Sequence, residues 1–253
     1  MNQKYPKNFA RFYDTIYSKM RHGDDSQFFL DLVKKTGGRV LEVGVGTGRL
    51  FTEALDAGAD IYGIDISPAM LGILYDKLDK DQHHRLKEQC ITSFSFNDKF
   101  DLVIAPFRVF MHLNDKEDQI KALNNVYDQL NKNGVFVFDV FNPDLSILQN
   151  GIDNQTDFEG EYEPGRKLKR TVSSMPDLAN QVINVLFRLD WEEENGPGME
   201  EWETSLRYFF RYELEHLVER SKFESYYIAG DFEGNAIGSN SREFIVTCRK
   251  KST

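Results

Sequence analysis

The sequence has few cysteines, a deficit of basic residues and no long apolar run. Its 253 residues include two cysteines, Cys90 and Cys248, which have neither the spacing of metal ligands nor that of a disulfide framework. The net charge of -10 argues against a nucleic-acid partner, because readers of a phosphate backbone usually carry a basic face. No run of about 18 apolar residues predicts a membrane span, and the amino terminus lacks the apolar core of a signal peptide. We therefore expect a cytoplasmic protein with no metal site and no membrane or nucleic-acid partner.

The glycine pattern after the first predicted strand is the most informative feature of the chain. Three glycines occur there at every second position: Gly44, Gly46 and Gly48. Glycine tolerates positive φ and close backbone approach, so the pattern predicts a strand, a tight turn against a ligand and then a helix. The spacing differs from that of the dinucleotide fingerprint, whose third glycine comes three residues after the second. A second apolar strand, Ile61 to Ile66, carries Asp65 at its carboxyl end.

This combination resembles the class I S-adenosylmethionine-dependent methyltransferases, and in particular those that act on small molecules. The family's first motif, acidic-x-Gly-x-Gly-x-Gly, is matched by Glu42 and the three glycines, and its ribose-binding acidic residue by Asp65. A carboxylate at that position can accept hydrogen bonds from both ribose hydroxyls. The resemblance implies S-adenosyl-L-methionine as the cofactor. The cofactor-binding residues it implies are Tyr13, Tyr17, Glu42, Gly44, Gly46, Gly48, Asp65, Ile66, Met70, Cys90, Ile91 and Pro106.

Two parts of this set have alternative interpretations. Tyr13 and Tyr17 lie on an amphipathic helix whose aromatic stripe is typical of core packing, although in the resembled family the segment before the first strand caps the cofactor. Met70 follows an N-cap serine and is either close to the adenine or a core methionine. The family's acidic residue for the adenine amino group has no counterpart here, since alignment places Cys90 or Ile91 at its position. We therefore expect the backbone near Ile91 to contact the adenine edge.

The fourth predicted strand, Lys99 to Ala105, brings the next segment to the carboxyl edge of the sheet, where open α/β sheets bind ligands. This segment supplies the substrate candidates Phe107, Arg108 and His112. With an unperturbed pKa near 6.5, His112 is the candidate general base. The alternative is a packed histidine that orders the loop.

The predicted fold is a Rossmann-like, doubly wound α/β sheet of seven strands. The order 3-2-1-4-5-7-6, with an antiparallel last strand, follows from the resemblance. Period-two alternation around residues 183–191 and 202–210, with a weaker strand at 167–173, predicts an inserted antiparallel sheet of three strands. We expect this sheet to be a lid over the substrate site, and its removal to spare cofactor binding. The alternative is an edge extension with no role in binding.

The length suits a single domain. We divide it into a helical cap (1–36), a cofactor-binding core (37–149), the inserted lid (150–211) and a final helix with a strand pair (212–253). The reaction implied is methyl transfer by direct displacement to a nitrogen or oxygen of a small-molecule acceptor. Two alternatives remain, a non-catalytic S-adenosylmethionine-binding module and a nicotinamide-dependent oxidoreductase, which the glycine spacing disfavours.

Overall fold

A computed structural model describes residues 4–20 and 24–251, except for the side chains of residues 20 and 24. The helices in these ranges are α1 (Lys7–Met20), α2 (Asp24–Lys35), α3 (Arg49–Asp56), α4 (Pro68–Lys77), α5 (Lys116–Gln129), α6 (Leu145–Asn150) and α7 (Arg211–Glu219), with 3-10 helices at Lys80–Arg85 and Val109–His112. The strands are β1 (Val40–Val43), β2 (Ile61–Asp65), β3 (Leu86–Glu88), β4 (Phe100–Ala105), β5 (Leu130–Phe141), β6 (Ile152–Glu163), β7 (Arg166–Asp177), β8 (Val182–Glu193), β9 (Gly196–Arg207), β10 (Ser225–Ala229) and β11 (Glu243–Arg249).

The larger sheet confirms the predicted topology. Its strands follow the order β10-β11-β5-β4-β1-β2-β3, and β11 is antiparallel to both of its neighbours. Helices cover both faces, so β4 is apolar except at Asp101. Val103 and Ala105 pack into one core, whereas Leu102 and Ile104 pack into the core on the opposite face.

Two predicted boundaries change. The sequence predicts a short third strand around Leu86 to Ile91. In the structure β3 ends at Glu88, because the carbonyl of Cys90 accepts bonds from the N–H groups of Ser93 and Phe94 and turns the chain away. The sequence also predicts a helix from Asn114 that stops at Asn133-Gly134. In the structure this helix, α5, ends at Gln129 and β5 begins at once.

The smaller sheet is antiparallel, with the order β6-β7-β8-β9 among the described strands. It has four strands where the sequence predicts three. The missed strand is β6, whose sequence IDNQTDFEGEYE is mostly polar and whose pairing with β7 is interrupted by register shifts, so alternation does not reveal it.

One face of the smaller sheet packs on α1. The apolar cluster between them contains, from the helix, Phe9, Phe12 and Ile16 and, from the sheet, Phe158, Leu168, Leu189, Trp191 and Trp202. All eight side chains are at most 9% exposed. The helical stripe of the sequence therefore packs mainly against the smaller sheet, which we call the lid sheet.

Candidate active site

The carboxyl ends of the parallel strands border a cavity. The turn after β1, the ends of β2 and β3, the segment after β4 and the amino-terminal segment all contribute to its wall. Strand order reverses between β1 and β4, and a reversal of this kind is where open α/β sheets bind ligands.

Gly44 and Gly46 form the part of the wall that follows β1. Their φ angles are 70° and 57°, in the left-handed region. A Cβ at Gly44 would lie 2.4 Å from Cγ2 of Val109, so only glycine allows the turn to pack against the segment after β4. A Cβ at Gly46 would meet no protein atom closer than 3.9 Å and would take up space beside the cavity. The turn is thus shaped to bring backbone close to a ligand.

Asp65 ends β2 and lies on the cavity wall. Its Oδ2 accepts a bond from the Gly46 N–H (2.9 Å) and its Oδ1 one from the Ser67 N–H (2.8 Å). Burial raises the pKa of this carboxyl, and the backbone donors partly oppose that shift. The Ile66 N–H also acts on this carboxyl, but a carboxylate has about four acceptor sites, so these donors do not occupy all of them. Asp65 therefore fixes the glycine turn and keeps acceptor capacity toward the cavity.

Glu42 and Arg49 flank the glycine turn, at the end of β1 and the start of α3. Glu42 is 1% exposed, and its Oε2 has no hydrogen-bond partner; the same holds for Nε and Nη2 of Arg49. Burial raises the pKa of Glu42 well above its ordinary value, and Arg49 partly opposes that shift. Unpartnered polar atoms in a protein interior are costly unless a ligand completes them. Neither side chain lines the cavity. The unpartnered N–H groups of Arg49 can donate to the α-carboxylate of an amino acid and the unpartnered oxygen of Glu42 can accept from its α-ammonium, so this pair fits the methionine part of S-adenosylmethionine.

An apolar part of the wall lies next to Asp65. Ile66, Met70 and Ile91 all line the cavity, as does Gln89. Cys90 does not line it, and its Sγ lies 3.1 Å from Oγ1 of Thr92. Sequence reasoning missed Gln89, which directly precedes Cys90 and Ile91, the two residues aligned with the family's acidic residue for the adenine amino group. Its side chain supplies an amide where the resembled family has a carboxylate.

The segment after β4 supplies a further wall through Phe107, Val109 and His112. Phe107 has a φ of 61°, and its ring lies 4.3 Å from the guanidinium carbon of Arg49. Pro106 is buried and does not line the cavity.

The side chain of Arg108 points away from the cavity. Its Nη2 is 2.5 Å from Oε1 of Glu243 on β11, and it lines a separate surface depression with Phe141 and Asn142. Its own N–H bonds Oδ1 of the buried Asp139 (3.2 Å). The residue has a φ of 67°, which turns its side chain away from the cavity. The structure therefore does not bring Arg108 to the site where the sequence placed it.

Two tyrosines of the amino-terminal segment, Tyr5 and Tyr13, line the cavity. Tyr17 does not line it; its ring packs 4.3 Å from that of Tyr13. Sequence reasoning missed Tyr5, which lies outside the helical stripe. Its ring contacts Tyr13 at 5.9 Å and Trp202 of the lid sheet at 4.2 Å.

Polar contacts attach α1 to the glycine turn. Oγ1 of Thr47 donates to Oδ1 of Asp14 (2.6 Å), and Nζ of Lys77 contacts Oδ2 of Asp14 (2.6 Å) and the carbonyl of Thr47 (2.8 Å). Thr47 lies between Gly46 and Gly48. The cap helix is therefore bonded to the turn that carries the site.

His112 lines the cavity, and burial lowers its pKa to about 4. The sequence-based expectation of a pKa near 6.5 is thus wrong, because burial disfavours the charged imidazolium. Near neutral pH the imidazole is uncharged and only weakly basic. It can accept or donate one hydrogen bond but is poorly suited to removing a proton from a weak acid.

This shift predicts a pH dependence of stability. Between about pH 6.5 and about pH 4 the unfolded chain binds a proton that folded His112 does not, so the free energy of unfolding falls as pH falls. The loss is about 3 kcal/mol at most, since part of the side chain contacts solvent. We expect His112→Gln to flatten urea-unfolding free energies across that window. His216→Gln, on the exposed side of α7, is the control and should retain the wild-type slope; an unchanged slope in His112→Gln would contradict the assignment.

Part of the chain matches a known domain family. Residues 40–134 match the model of a methyltransferase domain family. An uncharacterised methyltransferase of Bacillus mycoides is 38% identical over 108 residues, which are 43% of this chain and 49% of that protein. The chain thus spans about half the length of the curated relatives it matches. The segment 40–134 is therefore similar to methyltransferase domains.

Solved structures match nearly the whole chain. The CcbJ methyltransferase of Streptomyces caelestis has a TM-score of 0.77 at 21% identity, covering 99% of each chain. The sugar N-methyltransferase KedS8 of Streptoalloteichus has a TM-score of 0.75 at 17% identity, covering 95% of this chain and 93% of the other. These matches show a shared fold that includes the lid sheet. In the ranges the model describes, no helix is long and apolar enough to cross a bilayer, and no group of three or more potential metal ligands occurs.

Proposed function

We propose that this protein is an S-adenosylmethionine-dependent methyltransferase that methylates a nitrogen of a small-molecule amine. When bound, the cofactor supplies a methyl group activated by a sulfonium. In this assignment Asp65 accepts from the ribose hydroxyls, Met70 and Ile91 contact the adenine, and Glu42 with Arg49 binds the amino-acid part. Asp65, Met70 and Ile91 line one cavity, and Glu42 and Arg49 flank the glycine turn that forms part of its wall, which is the reason to place them in one site.

The burial of His112 on the cavity wall, which lowers its pKa, is the feature that favours nitrogen over oxygen. A hydroxyl acceptor keeps its proton at neutral pH and gains from a general base, whereas an amine needs only to be bound in its neutral form. With a pKa of about 4, His112 is a weak base. Its role is then to accept a hydrogen bond from the acceptor N–H and to orient the lone pair.

The aromatic walls of the cavity suit methyl transfer to an amine. Tyr5, Tyr13 and Phe107 give the cavity aromatic walls, which exclude water and favour the positive charge that passes from the sulfonium to the methylated nitrogen. Positioning and exclusion of water supply much of the rate in a displacement at carbon. The name of KedS8, a sugar N-methyltransferase of the same fold, agrees with an amine on a polyhydroxylated molecule.

The test is a panel of paired acceptors, each an aliphatic or sugar amine with its hydroxyl counterpart. S-adenosylhomocysteine formation is measured at several pH values. We expect turnover with amines only, and a rate that rises with pH as each amine loses its own proton. Equal turnover of the hydroxyl members would contradict the choice of nitrogen. Cofactor binding without turnover of any member would support a binding module instead.

A further inference from the structure

The lid sheet contains a buried ion pair on the face that meets α1. Arg170 of β7 and Asp157 of β6 form two parallel bonds, Nε to Oδ1 (3.0 Å) and Nη2 to Oδ2 (2.8 Å). Their side chains are 5% and 17% exposed. Burial acts to lower the pKa of Arg170, but Tyr17 and Asp157 outweigh it and raise the pKa above its ordinary value. The guanidinium is thus a fixed positive charge inside the protein.

This charge contacts the cap helix. The guanidinium carbon of Arg170 lies 5.0 Å from the ring centre of Tyr17 on α1, and the two side chains share a hydrogen bond. On its other side the same carbon is 4.9 Å from the ring of Phe187 on β8. Arg170 is therefore held between the lid sheet and a tyrosine of α1.

The contacts continue from Tyr17 to the cavity. The rings of Tyr17 and Tyr13 are 4.3 Å apart, and Tyr13 lines the cavity. Arg170 also acts on Tyr5, another lining residue: burial, Tyr17, Tyr13 and Asp65 raise the pKa of Tyr5 well above its ordinary value, while Arg170 opposes them. Arg170 of the lid sheet is thus linked through Tyr17 to Tyr13, which lines the cavity.

A buried ion pair is a weak source of stability, because removing two charges from water costs about as much as their attraction returns. Its geometry, however, is specific, since a planar guanidinium bonds a carboxylate in one orientation and leaves a third edge for Tyr17. We propose that Arg170 is a positioning residue that orients Tyr17 and, through it, Tyr13, and thereby sets the affinity of the cavity for the adenosyl cofactor. This inference rests on the proposed function.

The sheet offers a matched control. Arg188 and Asp190 of β8 form the same kind of pair, with Nε to Oδ2 at 2.9 Å and Nη2 to Oδ1 at 2.8 Å. Their side chains are 45% and 39% exposed, and among the described side chains of α1 none has a ring stacked on this arginine, in contrast to Tyr17 on Arg170. A lysine substitution at either arginine keeps the charge and removes the planar fork.

The experiment compares Tyr17→Phe, Arg170→Lys, their double variant and Arg188→Lys. Calorimetric titration with S-adenosylhomocysteine, without acceptor, measures affinity. The intrinsic fluorescence of Trp191 and Trp202 reports on docking of the cap, because these are the two tryptophans of the sequence and both pack on α1.

We expect Tyr17→Phe and Arg170→Lys each to weaken S-adenosylhomocysteine binding about tenfold, because each change removes the hydrogen bond that holds Tyr17, and through it the lining residue Tyr13, in position. The double variant should be no weaker than the worse single one, since both changes break the same link. Arg188→Lys should bind as wild type does. Unchanged affinity in Tyr17→Phe, with wild-type fluorescence, would overturn the inference, as would additive losses in the double variant. If the wild-type protein itself did not bind S-adenosylhomocysteine, the proposed function would fail instead.

Discussion

Asp65→Ala is expected to lower the affinity for S-adenosylhomocysteine at least tenfold. The substitution removes two charge-assisted hydrogen bonds to the ribose, each worth about 1.5 to 3 kcal/mol. It also releases the Gly46 N–H, so the glycine turn loses a bond that fixes its shape. Calorimetric titration measures the change directly.

The control for this variant is Asp60→Ala, because Asp60 directly precedes the first residue of β2 whereas Asp65 is its last. Asp60 pairs with Arg39 and Arg85 on the surface, away from the carboxyl edge of the sheet. Its replacement should leave affinity within a few-fold of wild type. If Asp65→Ala bound S-adenosylhomocysteine as tightly as Asp60→Ala does, the ribose would have to lie elsewhere.

Arg49→Met is expected to lower the affinity for S-adenosylhomocysteine but not the affinity for adenosine. The buried, unpartnered Nε and Nη2 of Arg49 are assigned to the carboxylate of the amino-acid part. Losing that interaction should weaken S-adenosylhomocysteine tenfold to a hundredfold, about 1.5 to 3 kcal/mol. Adenosine lacks the amino-acid part, so its affinity should hardly change.

Arg39→Met is the matched control for this prediction, because Arg39 directly precedes the other end of β1 and pairs with Asp60 and Asp98. It should affect neither ligand. An equal loss of S-adenosylhomocysteine and adenosine in Arg49→Met would mean that the substitution disturbs the glycine turn as a whole.

The sequence was informative where one short stretch determines local geometry. Gly44 and Gly46 need positive φ, and an acidic residue at the end of the next strand follows from the same unit, so this part of the site could be predicted. Strand order came from the resemblance, and the topology confirms it.

Contacts between distant segments could not be predicted. Arg108 follows β4 directly, yet its positive φ and its pairing with Glu243, more than a hundred residues away, turn it from the cavity. The pKa of His112 depends on burial by the surrounding fold, which composition does not reveal. Tyr5 and Gln89 lie outside regular periodicity, and only the folded chain brings them to the wall.

The packing of the lid sheet on α1 could not be predicted from the sequence either. Period-two alternation indicated a sheet with one buried face but not what covers that face. The structure places α1 there, and α1 is bonded through Asp14 to the glycine turn. Removing the sheet would expose the apolar face of α1, so we now expect such a deletion to impair cofactor binding, contrary to the sequence-based expectation.

The paired positive φ angles of Phe107 and Arg108 bear on how this protein would respond to selection for heat resistance. Each such residue costs on the order of 1 to 3 kcal/mol, and here Asp139 and Glu243 hold the second of them in place. Glycine at these positions would relieve the strain, yet it would also free the segment that carries Val109 and His112. Libraries screened by melting temperature alone should therefore accumulate changes at this turn that depress turnover, which paired measurements on each variant would reveal.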